Sequence, residues 1–210
     1  MTQQSFGIKG IFPCPVYFAH RNSDLDSSEI KDIEDIINEG IHPSVSNSVS
    51  QNNFIFDTKL KNLKEFCEQH IKKYAEEILN PKQELDFYIT QSWLNISKPG
   101  ESHHQHWHPN SSISGVFYIK TVKDDEILFH DPNHKIKRML IIEAKEANSF
   151  NLDAWRQSVN TFDLLLFPSW LEHSVSKNKK ATEDRISISF NTFVRGIIGN
   201  KGGSSELVLK

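Results

Sequence analysis

The chain is poor in cysteine: Cys14 and Cys67 are the only two among 210 residues. Two thiols make neither a disulfide framework nor a Cys-based zinc site. Long apolar runs are also missing, and none approaches the 18 or so residues needed to cross a bilayer. The N-terminus, Met1-Thr-Gln-Gln-Ser-Phe6, lacks a basic segment followed by an apolar one. A soluble, cytoplasmic, membrane-free protein is the expectation. An excess of one charge is absent too: Lys+Arg 24 against Asp+Glu 27 gives −3, which does not indicate a general nucleic-acid binder. There is no internal repeat and no low-complexity tract. What is present is apolar material, 37% of the chain with 14 Phe and 4 Trp, enough for a real core.

The first 80 residues read as an entering strand and two helices. Residues 8–20 are strand-like, and Pro13 and Pro15 confine them to a sheet edge. Asp26-Ser27-Ser28-Glu29 has the form of a capping box for a helix to about Asn38, with Ile30, Ile33, Ile36 and Ile37 on one face. Residues 42–53, rich in Ser and Asn, read as a loop. From Thr58 to Leu79 an apolar stripe recurs at helical spacing: Leu60, Leu63, Phe66, Cys67, Ile71, Tyr74, Ala75, Ile78 and Leu79. Asn80-Pro81 ends it. Such a stripe needs an apolar surface to cover.

From residue 85 the period shortens. Strands are expected near 86–96, 113–121, 126–130, 137–143, 147–150, 160–167 and 185–194, a pattern that suits a sandwich or jelly roll. Residues 1–195 form one expected domain, with the β core at about 85–195. The glycine-rich residues 196–210 read as a C-terminal extension.

Four of the ten histidines fall within six residues: His103, His104, His106 and His108. In an extended chain residues i and i+2 share a side, so His106 and His108 can present two imidazoles to one point, as can His104 and His106. First-row metals accept imidazole readily, and two ligands hold a metal poorly. His173 follows the buried run Leu164-Leu-Leu-Phe167 and is the leading third candidate. His130, Asp131 and His134 compete for the role. A solvated histidine loop is the alternative reading. Near the C-terminus, Arg185, Ser187, Ser189 and Asn191 alternate with Ile186, Ile188, Phe190 and Thr192. Such a strand ordinarily turns its polar face to water, but in a two-sheet barrel that face can line a cavity; an inward arginine is then costly unless an anion pairs with it, and its planar fork suits a carboxylate. A metal beside an arginine-held organic acid is the chemistry these residues suggest.

The order of these pieces resembles the iron(II)- and 2-oxoglutarate-dependent oxygenases. Ser92-Trp93-Leu94-Asn95, Pro99-Gly100, His106-Trp-His108-Pro109-Asn110, Ser114-Gly-Val-Phe-Tyr118, Leu166-Phe-Pro-Ser-Trp-Leu-Glu-His173 and Arg185-Ile-Ser187-Ile-Ser-Phe-Asn191 resemble a bacterial and phage branch of that superfamily. The resemblance implies a double-stranded β-helix, Fe(II) on His106 and His173, and 2-oxoglutarate on Arg185. Ser187, with Tyr118 or Asn95, would be accessory contacts. It also implies reaction with O2, release of succinate and CO2, and hydroxylation of a prime substrate that no motif names. The second ligand in that family is usually Asp or Glu, where this chain has His108. A three-imidazole site on His106, His108 and His173 is placed first; Asp131 is the substitute for His108, and a metal on two protein ligands and waters, with His108 hydrogen-bonded nearby, is the third arrangement. His103 and His104 are expected at the surface or toward substrate, and Trp107 and Trp170 as a shield or as core. The rival readings are a three-histidine cupin-type dioxygenase that uses no keto acid, and a non-enzymatic metal-binding barrel. An oligomer is possible on either view.

Overall fold

The computed structural model of the protein describes residues 7–133 and 142–210. In chain order come β1 (Tyr17–His20), α1 (Ser27–Glu39), β2 (Ile41–Pro43), β3 (Ser48–Ser50), α2 (Lys61–Tyr74), β4 (Asp86–Ser97), β5 (His103–His106), β6 (Ile113–Lys120), β7 (Glu126–His130), β8 (Ala154–Ser158), β9 (Asp163–Pro168), β10 (His173–Val175), β11 (Arg185–Ile198) and β12 (Leu207–Leu209). No described helix is long and apolar enough to cross a membrane.

Two antiparallel sheets face each other. The larger has the order β1-β9-β6-β11-β4-β3-β2, with β12 joined to the end of β11, and the smaller runs β5-β10-β7-β8. Local chemistry sets the first helix. Asp26 accepts from the backbone of Ser28 and Glu29, and Glu29 returns a bond to the Asp26 N–H. The buried Glu29 carboxylate is matched by both terminal nitrogens of Arg21, at 2.8 and 2.9 Å, as burial of a charge requires.

The stripe on α2 (Leu63, Cys67, Ile71 and Tyr74) is buried, and Leu60 at its N-cap with it. It packs with Phe117, Leu164, Leu166, Ile188 and Phe190, the outward apolar set of the larger sheet. A second cluster, with Val116, Tyr118, Phe129, Leu165 and Phe167, fills the space between the sheets. The polar alternation of β11 therefore faces the other sheet while its apolar alternation lies under the helices.

Several expectations change. Residues 42–53 are not a plain loop: β2 and β3 form a hairpin added beside β4. Only Tyr17–His20 of the entering segment pairs, and β1 does lie at an edge. α2 passes into a π-turn at Ala75–Leu79. That extra residue rotates Ile78 and Leu79 out of the stripe, and both are exposed. Residues 147–150 are a turn, and the strand expected at 137–143 lies mostly outside the described residues. β11 runs beyond Arg195 to Ile198 and pairs with β12, so residues 196–198 and 207–209 form a short hairpin at the sheet's end.

Candidate metal centre

Strand pairing joins the two histidine segments. β5 and β10 are neighbours in the smaller sheet, with His106 opposite His173. His108 lies beyond β5, and its backbone N–H bonds to the Ser169 carbonyl at 2.9 Å, in the loop that leads to His173. The outcome is a set of three imidazoles, His106, His108 and His173, with one ring nitrogen of each within 4.8 Å of the others. Asp131 is outside this group. It lies just past β7, where its carboxylate accepts from the Asn133 N–H. His130 donates or accepts at Ser174 Oγ, 2.9 Å away, and His134 lies outside the described residues.

The second nitrogen of each ring is engaged behind the site. His106 Nδ1 is 2.8 Å from the His104 carbonyl, His173 Nδ1 is 3.0 Å from the Leu171 carbonyl, and His108 Nδ1 is 2.6 Å from Asn191 Oδ1. These oxygens only accept, so each Nδ1 carries the proton and each Nε2 keeps its lone pair. His108 Nε2 is buried with no partner. A buried acceptor without a donor is expensive, and a cation held by the three Nε2 atoms would satisfy it. The donor set thus fits a first-row metal ion, with outer partners that fix tautomer and ring orientation.

Burial keeps these rings neutral. It pushes His108 down to about 4, against a smaller upward effect of the Asn191 bond. It also lowers His106, and lowers His173 strongly. His103, stacked on His106 at 4.4 Å, is lowered to about 3, mainly by burial and then by His106. Neutral imidazole is the metal-binding form.

Across the cleft stands β11. The register places Ser187 opposite Asn95 of β4 on one side and Tyr118 of β6 on the other. Asn95, Tyr118, Arg185, Ser187 and Ser189 line the same cleft as the three imidazoles. The Arg185 guanidinium lies 4.9 Å from the Tyr118 ring centre. Burial raises the Tyr118 phenol, whose hydroxyl has no hydrogen-bond partner. Asn95 donates to Ser189 Oγ at 3.0 Å and keeps a buried, unpartnered Oδ1. His106, His108, His173, Arg185, Ser187, Tyr118 and Asn95 therefore line one cleft, whereas Asp131 and His130 do not. Trp107 and Trp170 belong to neither core cluster: both are about half exposed.

Three contributors were not singled out from the sequence. Asn191 was inside the quoted strand, and its alternation with Arg185 was the available signal for an inward side chain. Trp93 stacks over His108 at 5.8 Å, and its signal was the same alternation as Asn95. Asp125 holds Arg185 through Nε at 2.9 and 3.1 Å. In Lys123-Asp124-Asp125-Glu126 it looks like any solvated turn, so no local signal could have found it.

Comparison with known proteins accords with this geometry. Residues 91–191 match the family model described as "Putative 2OG-Fe(II) oxygenase". No curated protein matches the chain. Among solved structures, a 2OG-Fe(II) oxygenase family oxidoreductase from Burkholderia pseudomallei is 10% identical at TM-score 0.56, covering 84% of this chain and 83% of that one. HygX from Streptomyces hygroscopicus, with nickel, 2-oxoglutarate and hygromycin B bound, is 13% identical at TM-score 0.54, covering 85% and 82%. A Pseudomonas putida prolyl-4-hydroxylase is 13% identical at TM-score 0.51, covering 85% and 93%. At such identities the likeness is one of fold.

Proposed function

We propose that this chain, whose residues 91–191 match a family model described as "Putative 2OG-Fe(II) oxygenase", is a dioxygenase holding Fe(II) on His106, His108 and His173 and 2-oxoglutarate on Arg185. The observation that carries the reading is the meeting of three Nδ1-anchored imidazoles and a buried guanidinium in one cleft. Bound iron and 2-oxoglutarate would supply the oxidising power, with O2 reduced as the keto acid loses CO2 and becomes succinate.

The protein's own part is binding and orientation. His106 and His173 are fixed by backbone carbonyls, and His108 by Asn191. Asp125 engages Arg185 through Nε, which leaves the edge of the two terminal nitrogens for a carboxylate to take as a bidentate pair. The Ser187 and Tyr118 hydroxyls and Asn95 Oδ1 would flank that acid. Charge supports the fit. Three neutral imidazoles leave a divalent cation uncompensated, and Asp125 already offsets Arg185. A dianionic keto acid then brings the cleft close to neutrality.

The test is succinate release by the purified protein with Fe(II), ascorbate and O2. Release should depend on 2-oxoglutarate and vanish in His173→Ala together with retained iron. Oxygen consumption without any keto acid would instead favour the cupin-type reading. Zinc bound tightly at all three histidines, with no binding of 2-oxoglutarate, would favour a non-enzymatic barrel.

A further inference from the structure

Arg185 is more than nine-tenths buried, and its environment is divided. It lines the metal cleft, and it also lines a second cavity of about 310 Å³ on its other side. Asp125 lines only that second cavity. It reaches the guanidinium at Nε with both carboxylate oxygens, at 2.9 and 3.1 Å. The turn that carries Asp125 is fixed by its own backbone. The Asp125 N–H bonds to the Val122 carbonyl at 3.2 Å, and the Asp125 carbonyl accepts from Val159 at 3.1 Å.

A guanidinium tied at Nε cannot rotate about its long axis without breaking both contacts. Its two terminal nitrogens are then held as one edge. The outer cavity has room for the group to swing into, and its lining is of mixed charge, with Glu101, Asp124, Glu126 and Glu183 beside Lys98, Lys177, Lys179 and Lys180. Without Asp125 nothing at Nε would choose between the two cavities, and the guanidinium would be free to leave the edge of the metal cleft.

We propose that Asp125 is a positioning residue for the cosubstrate: it pins Arg185 in the wall between the two cavities, with the terminal nitrogens presented to the dicarboxylate. This rests on the functional reading above and adds the residue that fixes the clamp. It separates orientation from charge. Asn at 125 keeps an acceptor for Nε and removes the charge, whereas Ala removes both.

The experiment is calorimetric titration of 2-oxoglutarate into Mn(II)-loaded protein, with Mn(II) affinity measured in parallel by electron paramagnetic resonance. The parent should bind. Asp125→Asn should stay within threefold of it, and Asp125→Ala should bind at least tenfold more weakly, with Mn(II) affinity unchanged in both. Under turnover the Ala variant should show a raised KM for 2-oxoglutarate and an unchanged kcat at saturation. Equal binding in Asp125→Ala and the parent overturns the proposal. So does tighter binding in both variants, because Asp125 would then act only as a repelling charge. Loss of Mn(II) along with 2-oxoglutarate in Asp125→Ala also overturns it, because the role would then be structural. A parent that binds Mn(II) but no 2-oxoglutarate refutes the functional reading itself, a distinct result.

Discussion

Acid should weaken the metal-free protein steeply, and the amount assigned to one ring can be worked out. His108 titrates near 4 in the folded chain because it is buried, against about 6.5 when unfolded. The unfolded chain therefore binds more protons as pH falls, and folding loses free energy. The full contribution of the neutral ring is present above about pH 6.5, and it is lost progressively from there down toward pH 4. At pH 5 the loss from His108 alone is about 2 kcal/mol. For a chain of this size that is a fall in Tm of roughly 4–8 °C. His70, His103, His106 and His173 are also lowered by burial, so the parent's total drop is larger. The difference between the parent and His108→Gln isolates the one ring. Thermal unfolding of chelator-treated protein, followed by circular dichroism at pH 7.5, 6 and 5, measures it. Between pH 7.5 and 5 the variant should lose about 2 kcal/mol less than the parent. Parallel pH profiles for the two proteins would refute the claim that burial holds His108 neutral.

Other perturbations have equally direct readings. Arg185→Ala removes the charged donor pair, each such bond being worth about 1.5–3 kcal/mol, so the Kd for 2-oxoglutarate on Mn(II)-loaded protein should rise at least tenfold. Asn191→Ala frees His108 Nδ1 from its 2.6 Å contact; metal affinity should fall roughly 10–100-fold, the usual cost of losing such a partner, measured by competition with a fluorescent chelator. Gly115→Ala would drive a methyl group into the Phe190 ring and Leu166, and overpacking of that kind costs about 1–3 kcal/mol, read as a lower urea midpoint.

Much of the architecture is written locally in the chain. The capping box at Asp26 and Glu29, the α2 stripe and the β11 alternation each depend on neighbours two to four residues apart, and short-range periodicity reports such features faithfully. The alternation of Arg185, Ser187 and Asn191 with Ile186, Ile188 and Phe190 marked two faces, and the packing of the apolar face under the helices decided that the polar one turns inward. The pairing of His106 and His108 was equally local. By contrast, β3, β5, β10 and β12 are three or four residues long. They exist because a neighbouring strand supplies hydrogen bonds, and no local pattern marks them.

The sequence by itself supplied the candidate residues for the site and the expectation that helices would cover a sheet. The tertiary structure decided the rest. Strand register placed His173 opposite His106, the loop bond from His108 to Ser169 completed the triplet, and a turn far from β11 in the chain delivered Asp125 to Arg185. Side-chain type and spacing are short-range properties, whereas register and turn-to-strand contacts are long-range ones, fixed only when the two sheets close on each other.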